Sequence, residues 1–154
     1  MKKQWKVLIF CVLLPLAVGG AASLLTNNGM EMFAQINRPP LLPPDWLFPV
    51  VWTILYTLMG ISSYLILTSE EEDIKKAGMR YGSQLVVNFL WPTFFFNFQW
   101  YLFSFLWLLL LILLVIAMIR EFYKISKPAA YLNIPYLLWL IFAGYLNFAI
   151  WRLN

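Results

Sequence analysis

Three stretches of the chain carry amide, hydroxyl and indole groups at helical spacing within apolar sequence. Gln84, Asn88, Trp91 and Phe95 stand at i, i+4, i+7 and i+11, one stripe of a helix. Pro49, Thr53, Tyr56, Gly60 and Ser63 form a second stripe, flanked by Trp52, and Pro135, Trp139, Ala143 and Asn147 repeat every four residues in a third. Such groups orient a ligand by hydrogen bonds or join helices to one another, and the residue types alone leave both readings open. Small residues beside large aromatics suit either close helix packing or a flat apolar slot. Trp52 and Trp139 lie inside apolar runs, where the N–H needs a partner, so a bundle interior fits them better than lipid contact.

Other chemistry is excluded by what the chain lacks. Histidine is absent, which removes the commonest general base, the commonest zinc ligand and the usual axial ligand of haem iron. The single Cys11 permits no internal disulfide and no thiolate metal cage, and no metal site is expected. No phosphate-cradling glycine loop, HExxH motif or Ser/His or Cys/His pairing is present. The apolar runs contain no ionisable acid or base, so proton relay and ion coupling across a bilayer have no evident players.

The elements that must position these groups follow from the solvent the composition demands. Of 154 residues, 62% are hydrophobic and 12% charged, against about 25% charged in an ordinary soluble domain. A small globule in water could not hide that much apolar surface, so lipid is the expected solvent. The net charge of +4 sits in short clusters between apolar runs, which reads as membrane orientation and gives no nucleic-acid-binding stripe.

A crossing helix needs about 20 apolar residues. The spacing predicts an all-α integral membrane protein, a single domain over residues 1–154, with five transmembrane helices at about 7–25, 46–67, 79–98, 103–123 and 129–151. The first run follows Lys2, Lys3 and Lys6 and ends in small residues, so a cleaved signal competes with a retained span; its uninterrupted length favours the span. From Tyr81 to Ile119 there is no formal charge, and one helix of that length would approach about 60 Å, so it must fold back. Asn97, Gln99, Trp100 and Tyr101 mark the turn. Glu70, Glu71, Glu72, Asp73, Lys75 and Lys76 form a solvated loop between the second and third spans. Five spans put nine of the eleven cations on the side of the N-terminus and leave Arg38 and Arg152 on the other, so the N-terminus is expected in the cytoplasm.

Between the first two spans lies a loop ending in Arg38-Pro39-Pro40-Leu41-Leu42-Pro43-Pro44. Met30, Phe33 and Ile36 recur at helical spacing, so a short interfacial helix is expected there, followed by a stiff Pro-rich lid over an outward-facing cavity. A solvated linker is the alternative. Pro44 suits the start of the second span, and Pro15, Pro92 and Pro135 are expected to kink their helices and open gaps between them. Gly78 and Gly82 form a GxxxG, a spacing used by helix dimers.

Pro43-Pro44-Asp45-Trp46-Leu47-Phe48 followed by Val51-Trp52-Thr53-Ile54-Leu55-Tyr56 resembles the second-helix signature of the TspO/translocator family, also known as tryptophan-rich sensory proteins or peripheral-type benzodiazepine receptors. Asn88-Phe89-Leu90-Trp91-Pro92-Thr93-Phe94-Phe95 is similar to the third-helix motif. Pro135-Tyr136-Leu137-Leu138-Trp139-Leu140, with Leu146-Asn147 and Trp151-Arg152, is similar to the fifth. The resemblance implies five helices, a homodimer as in bacterial members, and a pocket closed by the loop after the first helix. It implies ligands such as protoporphyrin-type tetrapyrroles and drug-like apolar molecules. It links Trp52 and Trp139 to porphyrin binding and to light- and oxygen-dependent porphyrin breakdown.

On that footing the expected ligand-binding residues are Trp52, Tyr56, Gln84, Asn88, Trp91, Phe95, Trp139, Ala143 and Asn147, with Phe33, Arg38, Pro43 and Pro44 in the lid. No cofactor is required: porphyrin enters as ligand or substrate, and metal-free porphyrin fits the lack of histidine better than ligated haem. The expected partners are that ligand, membrane lipid and a second copy of the chain. A proposed cholesterol motif of the animal members is broken here, since six residues separate Tyr145 from Arg152 and Phe148 stands where the closer tyrosine is expected. A tetrapyrrole or lipid transporter and a stress-regulatory membrane scaffold remain as alternative functions.

Overall fold

The computed structural model describes residues 2–71 and 74–154; Met1 and the loop positions Glu72 and Asp73 lie outside the described residues. All regular elements among them are helical: α1 (Lys2–Leu25), α2 (Asn27–Phe33), α3 (Leu47–Leu67), α4 (Lys75–Pro92) continuing into a π-helical segment (Thr93–Asn97), α5 (Tyr101–Ile125), α6 (Lys127–Tyr131) and α7 (Ile134–Leu153). Among the described residues four stretches are long and apolar enough to cross a membrane: Gln4–Leu25, Leu47–Leu67, Tyr101–Ile125 and the α6–α7 stretch Lys127–Leu153. The expected span at 79–98 corresponds to most of α4 and its π-helical continuation. It is not among the four: α4 opens with Lys75, Lys76 and Arg80, and its α-helical hydrogen bonding stops at Pro92.

α1 packs on α3 and α4, α4 on α5, and α5 on α7, while α3 and α7 meet through ring contacts of Trp52 with Tyr136 and Phe48 with Trp139. The result is a ring of helices. Met59, Val115, Met118 and Leu140 are fully buried inside it, whereas Phe10, Leu113 and Leu138 are more than half exposed on its outside. An outer face this apolar has its natural solvent in hydrocarbon. Gly60 permits a close approach of α3 to α1, because a Cβ there would overlap the backbone of Cys11 and Val12.

Three prolines behave differently from one another. Pro15 stays inside α1. Pro92 ends α4, and the following turn widens to π-type bonding, with Phe98 N donating to Thr93 O at 3.1 Å. Pro135 is a correction: it does not kink a continuous fifth span but occupies the first turn of α7, after a break at Leu132 and Asn133. A proline lacks the N–H that a first turn leaves unbonded anyway, so the chain stops and restarts there at little cost. Pro44 likewise precedes the helix it was expected to start; its carbonyl accepts from Leu47 N at 3.0 Å in a turn before α3. The fold-back after the Gln84–Phe95 stripe falls at Phe98–Trp100, where Gln99 adopts φ 57°.

The segment after α1 begins with α2, which holds Met30 and Phe33 of the expected short helix but ends before Ile36. α2 docks on the π-helical segment: Phe33 packs against Phe95 and Phe96 at 5.7 and 5.2 Å between centroids, and Gly29 lies against the Phe96 carbonyl. Asn37 and Asn154 then hold the Pro-rich segment against the end of α7, Asn37 N donating to Asn154 Oδ1 at 3.1 Å and Asn154 Nδ2 to Asn37 O at 3.0 Å.

Candidate ligand chamber

The three polar stripes converge on one cavity of about 420 Å³, within the range of drug-sized ligand pockets. α3 contributes Phe48, Trp52 and Tyr56, α4 and its π-helical extension Asn88, Trp91 and Phe95, and α7 Trp139, Ala143 and Asn147. α1 supplies Leu16, Gly19 and Ala22, and Phe33, Leu42 and Asp45 close the end beneath α2 and the Pro-rich segment. Period and packing explain the convergence. Each stripe is the inward face of its helix, and the rings of Trp52, Tyr136, Phe48 and Trp139 wedge α3 and α7 at the width that leaves a slot.

The indoles have different surroundings. Trp91 stacks on Phe95 at 5.1 Å and donates through Nε1 to Asn147 Oδ1 at 3.1 Å, while Asn147 Nδ2 donates to Tyr101 O at 2.8 Å. Trp52 lies over Tyr56 at 5.4 Å between centroids and edge-on to Tyr136 at 6.2 Å. Trp139 meets Phe48 edge-on at 5.8 Å, and its Nε1 is shielded with no hydrogen-bond partner among the described residues. Gly19 makes room for the Tyr56 ring, because a Cβ at that position would overlap it.

Among the described lining residues the one formal charge is Asp45 at the lid end, which accepts from Arg38 Nη1 outside the lining at 3.3 Å. The Arg38 guanidinium also lies over the Phe33 ring, 5.0 Å from its centroid. The chamber therefore offers flat aromatic surfaces and a few fixed dipoles. It can bind and orient an apolar, planar molecule, and it holds no acid–base pair of its own.

Among the sequence-derived candidates, Trp52, Tyr56, Asn88, Trp91, Phe95, Trp139, Ala143, Asn147 and Phe33 line the cavity. Gln84 does not: it is fully buried one turn further along α4, behind Tyr136 and Met59. The helical stripe runs on past the cavity floor into the bundle core, and periodicity along one helix carries no information on where the space ends. Arg38, Pro43 and Pro44 are also outside the lining, whereas their neighbours Leu42 and Asp45 are in it. Sequence reasoning missed Phe48, Leu146 and Ile150, although Phe48 stands one turn before Trp52 and the other two extend the α7 stripe. Gly19 carried no signal beyond its lack of a side chain.

A family model described as the TspO/MBR family matches residues 11–152. The chain is 37% identical to the tryptophan-rich protein TspO of Chlorobaculum tepidum, over 100% of this chain and 99% of that protein. It is 34% identical to the translocator protein of Bos taurus, over 100% of this chain and 94% of the relative. It is also 33% identical to a tryptophan-rich sensory protein of Cereibacter sphaeroides, over 80% and 77% of the two chains.

Proposed function

The chain belongs to the TspO/MBR family, and from that premise we propose that it is a membrane receptor whose chamber binds metal-free porphyrins and drug-like apolar ligands and promotes light- and oxygen-dependent porphyrin breakdown. The observation that carries this reading is the chamber itself, a 420 Å³ largely apolar cavity walled by Trp52 and Trp139, with Asp45 at its lid end the one formal charge among the described lining residues. A flat macrocycle stacks on indole faces, and it brings its own light absorption, with dioxygen as the oxidant. The protein's part is to bind, orient and shield, with Trp52 and Trp139 closest to the ring system. The segment Arg38–Asp45 serves as the lid, held by its own ion pair and by the bond of the preceding Asn37 to Asn154.

The same reading has five crossings, the N-terminus in the cytoplasm and a homodimer. Two contacts support α4 as the fifth crossing. Lys76 lies 3.4 Å from Glu121 near the end of α5, and Asn97 Nδ2 donates to Leu25 O at the end of α1. α4 with its π-helical extension thus reaches from one end of the bundle to the other. Gly78 and Gly82 have open space where a Cβ would stand, which leaves that helix face free for a second copy.

The test is a titration of protoporphyrin into the purified protein, followed by absorbance and fluorescence, then illumination in air. Trp52→Phe and Trp139→Phe are expected to bind more weakly and bleach the porphyrin more slowly. Parent-like binding and bleaching in both variants would remove the tryptophan role.

A further inference from the structure

Away from the chamber, the corner where α5 meets α6 gathers cations and tyrosines that porphyrin binding does not use. On α5, Leu113, Ile116, Arg120 and Tyr123 stand at i, i+3, i+7 and i+10, so they share one face of the helix. All four are exposed. Lys127, the first residue of α6, holds its Nζ 5.5 Å from the centroid of the Tyr123 ring. Tyr131, the last residue of α6 and also exposed, meets the same ring edge-on at 6.2 Å. The Tyr123 ring thus joins the α5 face, Lys127 and Tyr131 into one surface.

The cations of this surface are not neutralised by a neighbouring acid. Glu121 is held by Lys76 at 3.4 Å and by Lys124 at 3.2 Å. Arg120 and Lys127 take part in no ion pair among the described residues. Cations in the last turn of a helix complement its dipole, and Lys124 does so on α5. That effect fades within one turn, so it accounts for neither Arg120, five residues before the end of α5 at Ile125, nor Lys127, which belongs to α6.

The apolar part of the face fixes its depth. Leu113 and Tyr123 are ten residues apart, about 15 Å of helix and half of a hydrocarbon core about 30 Å thick. With Leu113 and Ile116 against acyl chains, Arg120, Tyr123 and α6 reach the headgroup layer of one leaflet, where tyrosines find both an apolar and a wet side. A headgroup of negative charge joined to an acyl chain matches both parts of the face at once, whereas a free anion matches only the cations.

We propose that this corner is a binding site for an anionic glycerophospholipid, its headgroup held by Arg120 and Lys127 beside Tyr123 and Tyr131, and an acyl chain laid along Ile116 and Leu113. The full chain is released from neutral-detergent micelles that contain equal amounts of phosphatidylglycerol and phosphatidylcholine with the same acyl chains. Native mass spectrometry then gives the ratio of the two lipids in the first bound position. Each basic residue at an anionic headgroup is worth about fivefold, so the parent is expected to favour phosphatidylglycerol by about twentyfold.

Arg120→Gln and Lys127→Gln are each expected to lower that ratio about fivefold. Lys75→Gln removes the same charge from an exposed residue at the same end of the bundle and is expected to keep the parent ratio. These side chains are exposed, so the substitutions leave the packed core untouched. A parent ratio near one overturns the proposal. So does a loss in Lys75→Gln as large as in Lys127→Gln, which makes the attraction a diffuse property of the basic end. Inorganic phosphate that displaces phosphatidylglycerol more than sodium chloride of equal ionic strength overturns it too, as the mark of a free-anion site.

Discussion

At the scale of single residues, the two classes of indole predict opposite sensitivities. The Trp91 N–H is paired with Asn147, so Trp91→Phe strands a wall acceptor and should cost about 1–3 kcal/mol of stability. The Trp139 N–H has no partner, so Trp139→Phe should cost clearly less in stability while weakening ligand binding. Thermal unfolding in one detergent, run on both variants, checks the contrast. Gly19 gives a second residue-level prediction. A methyl there overlaps the Tyr56 ring, so Gly19→Ala should lose about 1–2 kcal/mol after the usual helix gain, whereas Gly20→Ala meets nothing within 4 Å and should be neutral or stabilising. The stripes of Asn88, Trp91, Phe95, Trp139 and Asn147 were legible in the sequence because helical period alone puts them on one face. The partners of their polar atoms were not, since those come from other helices.

At the scale of elements, the breaks matter as much as the helices. Proline was visible in the sequence, but its effect depended on place: Pro135 starts α7, Pro92 ends α4 in a π-type turn, and Pro15 is absorbed within α1. The turn between α4 and α5 stands on Gln99 in the left-handed region, which costs a residue with a Cβ about 1–2 kcal/mol. Gln99→Gly relieves that strain and adds unfolded-state entropy, so a net gain of about 0.5–1 kcal/mol is expected, seen as a raised unfolding midpoint. No such gain is expected from glycine at Phe98, whose φ is −90°.

At the scale of the molecule, the number of crossings sets which loops share a side. With Cys11→Ser as background, single cysteines at Ser69 and Ser126 should be labelled by an impermeant maleimide from the same side of sealed vesicles, and one at Gln35 from the other. If α4 did not cross, Ser69 and Ser126 would react from opposite sides. The sequence by itself determined the lipid solvent, the helical class, four helices long and apolar enough to span it and the inward stripes, because all of these follow from hydrophobic length and a 3.6-residue period. Only the tertiary structure decided that the stripes enclose a cavity, and that Gln84 lies behind its wall and Gly19 at its edge. Depth, tilt and hydrogen-bond direction are relations between helices, and no single stretch of sequence contains them.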